Sequence, residues 1–141
     1  MIELSENLLT TVPQQLAKDL RLSEATASQI RKFYDDLTLL QMKTKNLNLS
    51  EEEFKKKILP LVHFTKAKIA YKVGCKVVPP SFLKSISPYI EKIETIEDFS
   101  NFLLFYQAII AYTKFAVFEQ DQIKKQQPYV NSSKYGQGGR R

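Results

Sequence analysis

Apolar residues recur at three- and four-residue intervals along most of the chain, and no run alternates at intervals of two. In TASQIRKFYDDLTLLQMK, the residues Ile30, Phe33, Tyr34, Leu37 and Leu40 share one helical stripe, which points that face at a core. Thr26 followed by Gln29 predicts a capping box at the start of this helix. SEEEFKKKILPLVHFTKAKIAYKVG reads as a second long helix, opened by a capping box of Ser50 and Glu53. Pro60 lies too deep for a first turn, so a kink or break is expected there. Gly74 is expected to end the helix or to let a neighbour approach closely. PPSFLKSISPYIEKI starts with Pro80 in a first turn and carries Phe82, Leu83, Ile86, Ile90 and Ile93 as its apolar set. TIEDFSNFLLFYQAIIAYTKFAVFEQ is capped by Thr95, with Glu97 and Asp98 in its first turn. Its apolar residues from Phe99 to Phe118 circle the whole axis, which predicts burial on several sides, or burial on one and a docked partner on another. Ahead of all these, Pro13 interrupts an apolar series from Leu4 to Leu20 and predicts a short helix from about Pro13 to Leu20.

Five helical segments without a strand signal make the fold all-α, a compact bundle of four to six helices. Residues 1–120 form one helical-bundle domain, and the polar, basic, Gly-bearing residues 121–141 read as a disordered tail.

Charge changes this picture more than composition does. The net charge is +6, and residues 27–80 carry 11 basic groups against 5 acidic ones. Residues 1–26 and 81–120 are each mildly acidic, while residues 121–141 hold 5 basic groups and 1 acid. Such asymmetry suits an acidic partner, nucleic acid being the commonest. The lone cysteine, Cys75, allows neither an internal disulfide nor a Cys-based metal site, and points to a reducing, cytoplasmic setting. The N-terminus lacks the basic-then-apolar pattern of a secretory signal. No charge-free stretch of about 18 apolar residues is present, so no membrane partner is expected. His63, the only histidine, falls among apolar positions and reads as a satisfied core or boundary residue. The acids at helix starts serve as caps. No catalytic residue, metal site or cofactor is therefore expected.

The densest cationic stretch is KAKIAYKVGCK. On one helix over residues 59–77, Leu59, His63, Ala67, Ala70, Tyr71 and Gly74 share one side, and Lys68, Lys72 and Lys76 the other. The lysines span about 12 Å with no interleaved acid, so the stripe costs helix stability and suits a row of phosphates. Lys66 points elsewhere. Arg31 and Lys32 open their helix on its non-core side, with Arg31 placed either for phosphate or for Asp35. A merely solvated basic face remains the alternative for all of them.

Three stretches, TASQIRKFYDDL (26–37), KAKIAYKVGCK (66–76) and FSNFLLFYQAIIAYTKF (99–115), together resemble the small helical subunit of type III-A CRISPR (Csm) effector complexes. The resemblance implies a helical bundle without nuclease activity, stacked in several copies beside a repeated backbone subunit and near a large subunit. It implies contact with guide RNA and target RNA through backbone phosphates. By position it marks Arg31, Lys32, Lys66 and Lys68; Lys72 and Lys76 come from the charge pattern alone. The chain departs from the family pattern at Cys75, where Arg is expected after the glycine, and at Thr113, where His is expected. The competing reading is a helical protein–protein adaptor or regulator whose basic face is only solvated.

Overall fold

Each interruption in the helical run has a local chemical cause, and the interruptions define the elements. The computed structural model describes residues 1–19 and 23–125. Within them lie α1 (Val12–Asp19), α2 (Glu24–Asn46), α3 (Glu51–Lys57), α4 (Leu59–His63), α5 (Thr65–Gly74), α6 (Pro80–Glu91) and α7 (Ile96–Lys125). The fold is all-α, as the periodicity requires. Helices α3, α4 and α5 are pieces of one expected segment, so the chain keeps its five runs. Helix α7 continues through Lys125, past the expected boundary at residue 120. Leu20 and the rest of the expected tail lie outside the described residues.

A single π-helical turn, Asn7–Thr11, leads into α1, closed by the Val12 amide on the Asn7 carbonyl. Pro13 explains the widening. Proline has no N–H and its ring crowds the carbonyl four residues back, so the chain takes a looser turn just before it.

The start of α2 corrects the sequence reading. Its cap is Ser23, in extended backbone, whose hydroxyl accepts from the Thr26 amide. Thr26 lies inside the helix and is buried, and its hydroxyl donates to the Val77 carbonyl at 2.9 Å. The Thr26–Gln29 box does not form because the helix starts earlier, at the Ser23 cap, and Thr26 already lies within its first turn. The stripe itself is as expected: Ile30, Phe33 and Leu37 are buried, with Tyr34 and Leu40 packed at the margin.

The Ser50–Glu53 box forms in both directions. Its backbone and side-chain hydrogen bonds to Ser50 hold the Glu53 carboxyl below the ordinary value. The break expected around Pro60 falls at Ile58, and Pro60 sits in the first turn of α4. A second break at Phe64 was not signalled by any proline or glycine. Pro80 occupies the first turn of α6, and Phe82, Ile86 and Ile90 are buried along it.

Helix α7, about 45 Å long at 1.5 Å per residue, is the axis of the bundle. It packs against α1 and α2, and α6 closes the core against α1, α4 and α5. By length and composition residues 96–123 are apolar enough to cross a bilayer. Here Phe99, Phe102, Phe105, Tyr106 and Ile109 of that helix are the core. Tyr106 is fully buried, stacks on Tyr34 at 5.9 Å, and meets Phe82 and Phe102 edge-on. Its hydroxyl donates to the Ile30 carbonyl at 2.7 Å, and burial pushes its pKa well up. His63 is a satisfied boundary histidine: Nε2 lies 3.1 Å from the Ile93 carbonyl, to which only an N–H can donate.

The first turn of α7 also pins the N-terminal stretch. Thr95 caps the helix by accepting from the Asp98 amide at 3.0 Å. The Asp98 carboxylate returns the bond to the Thr95 amide and also takes the amides of Ile2, at 2.8 Å, and Glu94. Asn101 adds a bond to the Ile2 carbonyl. Burial pushes the Asp98 carboxyl up, but the amides of Ile2, Glu94 and Thr95 outweigh it and hold the pKa below its ordinary value. A lowered native pKa stabilises the fold above the unfolded value, about 3.9, and that contribution disappears as pH falls through the native pKa. Asp98→Asn should therefore lower unfolding free energy by about 1–3 kcal/mol at pH 7. In urea titrations the gap between variant and wild type should narrow as the pH falls below the unfolded value and through the lowered native pKa.

Candidate nucleic-acid interface

The break at Phe64 sets the phase of α5. Thr65 and Ile69 are buried and Val73 is half-buried, so these form its inward face. Ala67, Ala70, Tyr71 and Gly74, expected on the apolar side, are exposed. Only Leu59 and His63 of that set are partly covered. Branched aliphatic side chains gain most from leaving water, while Ala and Tyr tolerate exposure, so Ile69 and Val73 decide the rotation.

Between the outer faces of α2 and α5 lies an open groove of about 430 Å³. Lys32 and Asp36 of α2 line it on one side, and Phe64, Lys68, Tyr71 and Lys72 on the other. Three cations and one anion thus face a shared space. Lys68 Nζ stands 3.8 Å from Asp36, both side chains 43% exposed, a pair that contributes at most about 1 kcal/mol. The same ammonium lies 5.9 Å from the Phe64 ring centroid, and Lys72 Nζ lies 6.0 Å from that of Tyr71. Phe64 and Tyr71 are 54% and 69% exposed, high values for large rings. Chemically, the groove offers anions three ammonium groups and offers flat apolar groups two ring faces.

A family model described as Csm2 Type III-A matches residues 3–118, which run from the N-terminal stretch far into α7. The chain belongs to this family. It is a small subunit of the type III-A Csm complex, a structural component that works in company with the complex's other subunits. No curated protein and no solved structure matches the chain.

Of the six basic residues singled out in the sequence of this Csm2-family subunit, the structure brings three together: Lys32, Lys68 and Lys72. Arg31 turns the other way, into a recess of about 180 Å³ between α2 and α7, beside Glu24, Ser28 and Lys114. It makes no ion pair with Asp35 among the described residues, and Glu24 pairs instead with Lys114 at 3.3 Å. Lys66 ties α5 to α6 through Glu91 at 3.3 Å, away from the groove. Lys76 is not on the helix at all. The i, i+4, i+8 stripe ends at Lys72 because α5 stops at Gly74. Nor is the lysine face free of acid, since Asp36 arrives from α2.

The chain turns away from α5 through a Schellman motif: the Lys76 amide bonds the Val73 carbonyl and the Val77 amide bonds that of Lys72. Lys76 takes the left-handed position with φ 64°, a place that favours glycine. Gly74, two residues earlier, has no positive φ, and a Cβ there would meet nothing within 4 Å. The glycine therefore neither makes the turn nor admits a neighbour. After α2, by contrast, the same position is held by Asn48, a residue that tolerates it. Sequence reasoning missed Phe64 and Tyr71 as groove residues. Their signal was each ring's spacing from a lysine, Lys68 four residues after Phe64 and Lys72 next to Tyr71.

Lys76→Gly should stabilise the fold by a few tenths to about 1 kcal/mol, read as a higher urea midpoint with unchanged m-value.

Proposed function

We propose that this subunit lines the RNA of the type III-A Csm complex and neutralises backbone phosphates through the α2–α5 groove. The observation that carries the reading is the convergence of Lys32, Lys68 and Lys72, from two helices, on one open face lined by a single acid, Asp36. Lysine presents a point charge without base selectivity, so contacts of this kind follow the backbone whatever the sequence. Sequence is read by pairing between guide RNA and target RNA, the division of labour of RNA-guided effectors. Arg31, Lys66 and Lys76 belong to the same proposal as peripheral contacts, Arg31 on the α7 side of α2.

The subunit acts without chemistry of its own, in the cytoplasm, as several copies stacked beside the repeated backbone subunit and near the large subunit. The distal part of α7 supports the stacking. Phe115 and Phe118, 53% and 55% exposed, lie 6.3 Å apart there with near-parallel rings. An exposed aromatic pair, with Ile123 exposed further along the same helix, supports a contact with another protein surface. The same pair is what an adaptor would use, and the adaptor reading predicts no RNA dependence on the lysines.

In RNA binding by the purified full chain, the affinity should fall steeply with salt. Lys32→Glu, Lys68→Glu and Lys72→Glu together should abolish most of it. The slope of log affinity against log salt should shrink by roughly 2, at about 0.7 per phosphate contact on single strands. Lys66→Gln should change it little. Binding indifferent to salt, or unchanged in the triple variant, would rule the proposal out.

A further inference from the structure

Phosphate neutralisation leaves the two exposed rings of the groove unexplained. Phe64 and Tyr71 are seven residues apart, two helical turns, and so stand on one face about 10 Å apart along the axis. Ala67 lies between them in sequence and also lines the groove, with the buried Phe33 of α2 beside it. A small residue flanked by two large rings leaves a notch with aromatic walls. Each ring has an ammonium within about 6 Å of its centroid. Neither ring face is covered by another ring of this chain among the described residues, unlike the paired rings of the core.

We infer that the α2–α5 groove takes an unpaired nucleobase of single-stranded RNA, stacked on Tyr71 with Phe64 as second wall, while Lys32, Lys68 and Lys72 hold the flanking phosphates. This deepens the proposed function and rests on it. Charge complementarity selects the occupant: three lysines against Asp36 favour a polyanion, and open aromatic faces favour one that carries flat apolar groups. Positive grooves with ring platforms are the general solution for single strands, because every base has a π-face and stacking tolerates any sequence. A base inside an A-form duplex cannot reach such a notch, since its faces are already stacked. The groove therefore prefers RNA with at least one unpaired position over continuous duplex.

The test uses the full-length chain and a short single-stranded RNA carrying one 2-aminopurine, whose fluorescence falls on stacking. The expected result is salt-dependent quenching with wild type and weaker binding of the same RNA annealed to its complement. Tyr71→Leu should weaken single-strand binding about five- to a hundredfold, abolish the quenching, and leave the salt slope unchanged. Tyr71→Phe should retain both. Because Tyr71 is exposed, the fold is not at risk, and an unchanged circular dichroism spectrum and urea midpoint verify this. Salt-dependent binding without quenching, or a Tyr71→Leu variant that binds as wild type does, would overturn the base-stacking inference and leave phosphate contact standing. Absence of salt-dependent binding to any RNA would overturn both. A change of oligomeric state in Tyr71→Leu with RNA binding intact would assign the notch to a second copy instead.

Discussion

The burial of Tyr106 is the constraint on which the rest of the structure depends. Its ring lies where α2, α6 and α7 converge, against Tyr34, Phe82 and Phe102. A buried hydroxyl without a partner costs about 1–3 kcal/mol, so the ring must sit where its oxygen reaches an acceptor. The Ile30 carbonyl provides it, about two turns into α2. That bond ties α7 to α2 in the same rotation that buries the Ile30, Phe33 and Leu37 stripe. With Ile30, Phe33 and Leu37 turned inward, Lys32 and Asp36 are turned toward α5. The position of the candidate interface is a consequence of how the core closes.

The second wall is set by a different compromise. The chain does not run as one helix from Ser50 to Gly74 but breaks at Ile58 and Phe64. Once α5 restarts, burying Ile69 and Thr65 leaves Phe64 and Tyr71 outward. Exposing two large rings forgoes the free energy their burial would give. The lysines beside the rings lower the cost by lying over their faces.

Much of this was legible before any coordinates. The α2 and α6 stripes, the Ser50 and Thr95 caps, Pro80 in a first turn and the all-α class follow from spacing alone, because each depends on residues within one or two turns. What failed depended on partners far away in sequence. Thr26 looked like a cap, but it lies inside the helix with its hydroxyl bonded to Val77, 51 residues on. The lysine stripe looked nine residues long and acid-free, but a turn removes Lys76 and α2 supplies Asp36. Arg31 and Lys32 looked like one site, but neighbours on a helix diverge by about 100°, enough to place them in separate recesses. The three motifs that carry the family resemblance outlasted these errors, since they record the order of segments and not the rotation of each.

Asp36 gives the groove its last physical meaning. A face built for maximal affinity would not keep a carboxylate 3.8 Å from one of its three lysines. The acid stabilises the unbound groove by offsetting lysine repulsion, and it weakens any phosphate contact by the same electrostatics. In a subunit working alone that would be a defect. In a subunit that is one member of an assembly, effective concentration supplies what each site lacks, and overall avidity rises well above the single-site affinity. Weak sites also release, and a bound strand can then adjust its register. Under the proposed function, a groove of modest affinity repeated along a complex would hold RNA firmly without fixing any one nucleotide irreversibly, as a sequence-blind lining of a guided strand requires.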